Sequence, residues 1–292
     1  MARRPDPFIK VRWEAERLLQ ELSIDALPID PFEIARRLDI ELRPLPSNAG
    51  GASGMLLHVG GQFGICYPTH VDSGGFKNFS VGHEIGHYRL PGHLDAVFDV
   101  GGRHISHAGF RSTDNYELEA DHFAATLLMP TKLFAPAARR AGEGLKAVEA
   151  LAGQCNTSLE STAIRFAQTN RNPVAVIRSE GGTIDYAIMS QPIKDFSDLD
   201  WIRKGTPLPA DSATASFNAD QENVARAARA DGTSTLQDWF NGPHRQEIVE
   251  EVVGLGSYGK TLTVLTGMEP PDELEDEDDD DLEDSWTPLF RR

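Results

Sequence analysis

Apolar positions first fall into a helical stripe at 8–22, with Phe8, Val11, Ala15, Leu18, Leu19 and Leu22 on one face. A second helix is predicted in "PIDPFEIARRLDI": Asp30 is its N-cap, Pro31 takes the first helical position, and Phe32, Ile34, Ala35 and Leu38 form its apolar face. The period then shortens. "IELRPL" at 40–45 alternates like a strand, and "GMLLHV" and "QFGICY" read as paired strands joined by a Gly-Gly turn. "QFGICY" is the expected exposed edge of that sheet. A helix follows from near Asn78 or Ser80 and must stop at Pro91-Gly92. Residues 93–113 read as a polar loop, and 114–129 as a strong helix closed by Pro130. Residues 143–169 read as two helices broken near "QCNTS", with Ser158 capping the second. "NPVAVIRSEGGTIDYAIMS" is a hairpin around Gly181-Gly182; "TASFN", "LQDWFN", "EIVEEVV" and "KTLTVLTG" are strand-like.

The order predicts an α+β chain. Its expected parts are a catalytic-type domain at 1–138, a helical segment at 139–171 with helix-turn-helix rhythm, a β-rich domain at 172–267, and a tail at 268–292. The run "EPPDELEDEDDDDLED" holds twelve of the 45 acidic residues and none of the 28 basic ones, so most of the net charge of -17 is local. Such a run cannot bury enough apolar surface to order itself. The remainder is only mildly acidic, which argues against direct nucleic-acid binding. The 143–169 segment agrees, since Lys146 and Arg165 are offset there by Glu149 and Glu160. No apolar run reaches the roughly 18 residues of a membrane helix, and none at the start resembles a secretory leader. Two cysteines, Cys66 and Cys155, make no disulfide framework and suit a reducing compartment. A cytoplasmic protein is expected.

The candidate chemistry lies in "NFSVGHEIGHYRLPGH". Residues four apart share a helix face, so His83 and His87 can reach one ion, while Glu84 projects beside it and can take a proton without being a ligand. A catalytic zinc needs a third protein ligand and an open position. "DNYELEADHFAATLLMP" offers Glu117, with Asp121 four residues on to orient a ligand histidine. Glu117 also fits a capping box with Asp114. Glu119, His93, His104, His107 and His122 are rival ligands, and Tyr88, His104, His107 or Tyr116 could stabilise an oxyanion.

"FSVGHEIGHYRLPGH", followed by "ELEADHFAATLLMP", resembles the ImmA/IrrE family of metallo-endopeptidases over roughly residues 10–135. The second motif matches at Glu117, Ala120, Asp121, Phe123, Ala124, Ala125 and Leu127–Pro130. The resemblance implies a zincin-like domain with His83, His87 and Glu117 as metal ligands, Glu84 as general base and Asp121 behind a ligand. It implies zinc, with manganese left open. It also implies a separate helix-turn-helix repressor as substrate, whose cleavage relieves repression in a stress, mobile-element or phage-related response. The β-rich domain is then expected to sense a signal or select the substrate. The alternative is a metal-binding regulatory protein that binds a repressor or DNA without cutting.

Overall fold

A computed structural model describes residues 7–45, 51–71, 73–107, 114–196, 198–242 and 245–269. The acidic run beyond Glu269 and the closing "SWTPLFRR" lie outside the described residues. In chain order the first half comprises α1 (Ile9–Glu21), α2 (Pro31–Arg37), β1 (Glu41–Pro44), β2 (Ala52–Val59), β3 (Gln62–Tyr67), α3 (Gly74–Arg89), α4 (His93–Val97), β4 (Arg103–His107) and α5 (Asn115–Leu128). Three helices follow: α6 (Thr131–Ala141), α7 (Gly144–Cys155) and α8 (Leu159–Thr169). The remainder holds β5 (Ala175–Glu180), β6 (Thr183–Met189), α9 (Gln191–Lys194), α10 (Ala213–Asn218), α11 (Gln221–Ala225), β7 (Arg229–Thr235), α12 (Leu236–Phe240), β8 (Glu247–Gly254) and β9 (Thr261–Thr266). The chain is α+β, with two separate sheets among the described residues.

The local signals act as their chemistry requires. Asp30 caps α2 by accepting from the backbone of Phe32 (2.8 Å) and Glu33 (3.2 Å). Gly60 and Gly61 both take positive φ, the backbone of a two-residue hairpin turn, and set β2 against β3 with Val59 opposite Gln62. The first sheet has the order β1-β3-β2-β4. "QFGICY" is therefore internal and not the edge: β1 pairs parallel with β3, placing Leu42 against Ile65, and covers it. The edge near the long helix is β4, which lies within the stretch expected to be loop.

The helix α3 starts four or more residues before Asn78 and Ser80. Ser73 caps it through Phe76, while Asn78 turns its amide to the Asn156 carbonyl and Ser80 bonds back to Phe76. Leu18 of α1, Ile34 of α2, Leu56 and Ile65 of the sheet, Val81 and Ile85 of α3, and Phe123 and Leu127 of α5 bury a common core. That core holds α3 and α5 side by side. Gly86 permits their close approach, since a Cβ there would stand 3.2 Å from Phe123 and 3.3 Å from Ala120.

The second sheet is antiparallel throughout, in the order β6-β5-β9-β8-β7. Strand alternation divides its faces. Val176 and Val264 pack with Phe134, Leu151 and Phe166 of α6–α8, while Ala175, Ile177 and Leu265 pack with Trp239 and Phe240 on the other side. "TASFN" and "LQDWF" are helices, not strands. Ser212 caps α10, and Thr235 with Asp238 forms a capping box at α12. Thr214, Phe217 and Asn218, and likewise Leu236, Trp239 and Phe240, are then buried at three-and-four spacing.

Candidate metal centre

Three elements converge at the middle of α3. His83 and His87, one turn apart and buried, face each other with Nε2 atoms 3.0 Å apart. From α5, Glu117 sets one oxygen 3.4 Å from His83 Nε2 and the other 3.4 Å from His87 Nε2. From β4, His104 brings its Nε2 to 3.0 Å from Glu117 Oε1. One ligand atom from each of His83, His87, His104 and Glu117 can be chosen so that all lie within 4.8 Å of one another. Asp114 caps α5 through the Tyr116 backbone, which leaves Glu117 turned toward the histidines.

The surroundings fix which atoms face inward. Asp121 Oδ1 accepts from His83 Nδ1 at 2.8 Å, so the lone pair of a neutral His83 lies on Nε2, toward Glu117. Burial alone would depress the His83 imidazole, but Asp121 and Glu117 carry its pKa up to about 10. Burial holds His87 down to about 3. Burial works to raise the Glu117 carboxyl, yet hydrogen bonds from His104, His83 and His87 hold it far below the usual carboxylate range.

Glu84 is arranged differently. It is fully buried, and burial pushes its carboxyl upward against the opposing pull of His83, His104 and the Ser106 hydroxyl, while neither oxygen meets full hydrogen-bond geometry among the described residues. Its side chain runs beneath β2 against Gly54, where an added Cβ would fall on Glu84 Oε1 and stand 3.1 Å from Cδ. Three imidazoles and a carboxylate, with a buried carboxylate alongside, make a nitrogen-and-oxygen donor set that fits a divalent transition metal.

Residues 35–167 match the family model described as Peptidase_M78, the IrrE N-terminal-like domain. This segment is similar to the IrrE N-terminal-like domain. No curated protein matches the chain. A solved structure described as a Mycobacterium tuberculosis transcriptional regulator aligns with a TM-score of 0.54 at 15% identity, covering 88% of this chain and 76% of that one. At that identity the likeness is one of fold.

The matched segment contains all four clustered groups, Asp121 and Glu84. The five residues read from the sequence, His83, Glu84, His87, Glu117 and Asp121, meet in one place. His104 was named there as a rival ligand and as an oxyanion candidate, not as one of the chosen ligands. Of the others, Glu119 turns to His93 (3.0 Å), and His122 stacks on Phe8. Tyr88 packs edge-on against Phe63, and Tyr116 edge-on against His93.

A groove of about 820 Å³ opens on the cluster. His83, Glu84, Glu117, Asp121 and His107 line it beside Phe76 and Phe79 of α3. The start of α8 and the second sheet close the opposite side, through Thr157–Ser161, Arg178, Tyr258 and Lys260. Arg178 pairs there with Glu160 (2.5 Å) and Asp185 (3.3 Å), and Lys260 with Glu180 and Asp185. Among the described residues, no helix is long and apolar enough to cross a membrane.

Proposed function

We propose that this chain is a zinc-dependent endopeptidase that hydrolyses a peptide bond in a helix-turn-helix repressor and so relieves repression. The observation that carries the reading is the meeting of His83, His87 and Glu117 beside a fully buried carboxylate, Glu84, whose oxygens meet no full hydrogen-bond geometry among the described residues. The match to the IrrE N-terminal-like domain around these residues supports a metallopeptidase.

His83, His87 and Glu117 would hold the ion, with Asp121 orienting His83. When bound, the ion supplies Lewis-acid chemistry toward the scissile carbonyl. Glu84 takes a proton from the attacking water and returns it to the leaving amine; its buried, upward-shifted carboxylate suits both steps. His104 sits on the sheet edge, where it can donate to the carbonyl oxygen as charge develops. Among the described residues β4 is an edge strand, and its outer side can accept an extended substrate as an added strand, the role the sequence assigned to "QFGICY".

The division into a zincin-like domain at 1–138, a helix-turn-helix-like segment at 139–171 and a sensory or substrate-selecting domain at 172–267 belongs to the same proposal. Arg178, Tyr258 and Lys260 support substrate selection, because they place the second sheet on the groove. A cytoplasmic location rests on two cysteines without a disulfide framework. Direct DNA binding by α7–α8 is disfavoured: Arg165 is buried and donates to the Met129 carbonyl and Thr131 hydroxyl across the α5–α6 junction.

The test is mass spectrometry of a candidate helix-turn-helix repressor, sought first among the products of neighbouring genes, after incubation with wild type and with Glu84→Gln. Fragments with wild type alone support the proposal. Capture of an intact protein by both identifies the binding-only alternative.

A further inference from the structure

His93 and Glu119 are both rival ligands by sequence, and both lie outside the group of inward-facing atoms. They are nevertheless tied to it. Gly92, at φ +81°, turns the chain after α3 and brings His93 back against that helix, where it is fully buried. Its Nε2 lies 3.0 Å from Glu119 Oε2, and its Nδ1 lies 3.1 Å from His87 Nδ1. Tyr116 meets the His93 ring edge-on at 5.0 Å and holds its plane.

The proton positions follow from the chemistry of each pair. An ionised carboxylate only accepts, so His93 donates its Nε2–H to Glu119. A neutral His93 then has a lone pair on Nδ1, which accepts the Nδ1–H of His87. A proton on Nδ1 leaves the His87 lone pair on Nε2, facing Glu117 and His83. Asp121 does the same for His83 in one step. Each histidine of the pair thus has its outer nitrogen protonated by design of its surroundings, one directly by a carboxylate and one through a second imidazole.

We propose that Glu119 and His93 form a two-member hydrogen-bond relay that locks His87 in the tautomer able to bind a metal. Both are positioning residues. The proposal rests on the metal reading of the cluster. An ordinary core position would be served by an apolar side chain, whereas here an imidazole has both nitrogens engaged within a sealed interior.

The test is Co²⁺ binding by the full chain, measured by competition with a chromophoric chelator and by the visible d–d spectrum. His93→Leu should lower affinity by about 10–100-fold and alter the spectrum, the usual cost of removing an outer-sphere partner. His93→Gln can donate to Glu119 and accept from His87, so it should recover affinity to within about threefold of wild type. Glu119→Ala, on the partly exposed flank of α5, should weaken binding by about tenfold and serves if His93→Leu fails to fold. Wild-type affinity and spectrum in His93→Leu or Glu119→Ala would overturn the relay, as would a His93→Gln variant no better than a folded His93→Leu. Absence of Co²⁺ binding by wild type itself would overturn the metal reading, and the relay with it.

Discussion

Replacing Glu84 by Gln should make the metal-stripped protein more stable. Glu84 is fully buried beneath β2 at the floor of the groove, with neither oxygen in full hydrogen-bond geometry among the described residues. Keeping a buried polar group unsatisfied costs about 1–3 kcal/mol, and more when it is charged. Gln preserves the shape and removes the charge but remains a buried polar group, so it should recover only the extra cost of the charge, about 1 kcal/mol or more, where Glu84 is ionised. The pH dependence follows from the direction of the shift. Burial raises the folded pKa of Glu84, while an unfolded glutamate titrates near about 4.3. Between those two values the folded state binds more protons than the unfolded chain, so stability falls as pH rises. Below the unfolded value both states are protonated and the penalty is absent; above the folded value it is complete. Urea unfolding of EDTA-treated wild type and Glu84→Gln should therefore show a smaller advantage for the variant at about pH 5 than at about pH 8. An equal stability at the higher pH would refute the view of Glu84 as a poorly satisfied buried carboxylate.

Gly54→Ala should separate catalysis from metal binding: its Cβ falls on Glu84 Oε1, so metal content should persist while cleavage of a quenched-fluorescence peptide pool drops by about 10–100-fold. Arg165→Leu leaves the Met129 carbonyl and Thr131 hydroxyl without their buried donor and should cost about 2–4 kcal/mol in urea unfolding. The Cys155 thiol is fully buried and burial raises its pKa to about 11, so maleimide should label it at neutral pH only as the chain unfolds. Rapid labelling of the native protein would contradict its placement in the core.

The clustered residues were legible where chemistry is local. His83 and His87 share a helix face through their spacing, and Glu117 with Asp121 repeats that spacing on one further helix. What sequence could not supply was strand pairing. His104 joins the cluster because β4 lies beside β2 with His104 opposite Leu56, a contact across 48 positions in a glycine-punctuated stretch. The same pairing makes β4 the edge and buries β3 between two neighbours. The strand β7, "RADGTST", has no apolar face to announce it, being a half-exposed edge. Short helices such as α10 mimic alternation over five residues, and their caps were the better signal. Glu119 and His93 looked like competitors for one role until the turn at Gly92 placed them behind His87.

Elemental analysis of the purified chain beside Glu117→Ala and His104→Ala tests the central claim most directly. Three protein ligands with an open position require about one zinc per chain in wild type, none in Glu117→Ala and near-wild-type content in His104→Ala. A metal-free wild type, or a Glu117→Ala variant that keeps its full complement, would contradict the account.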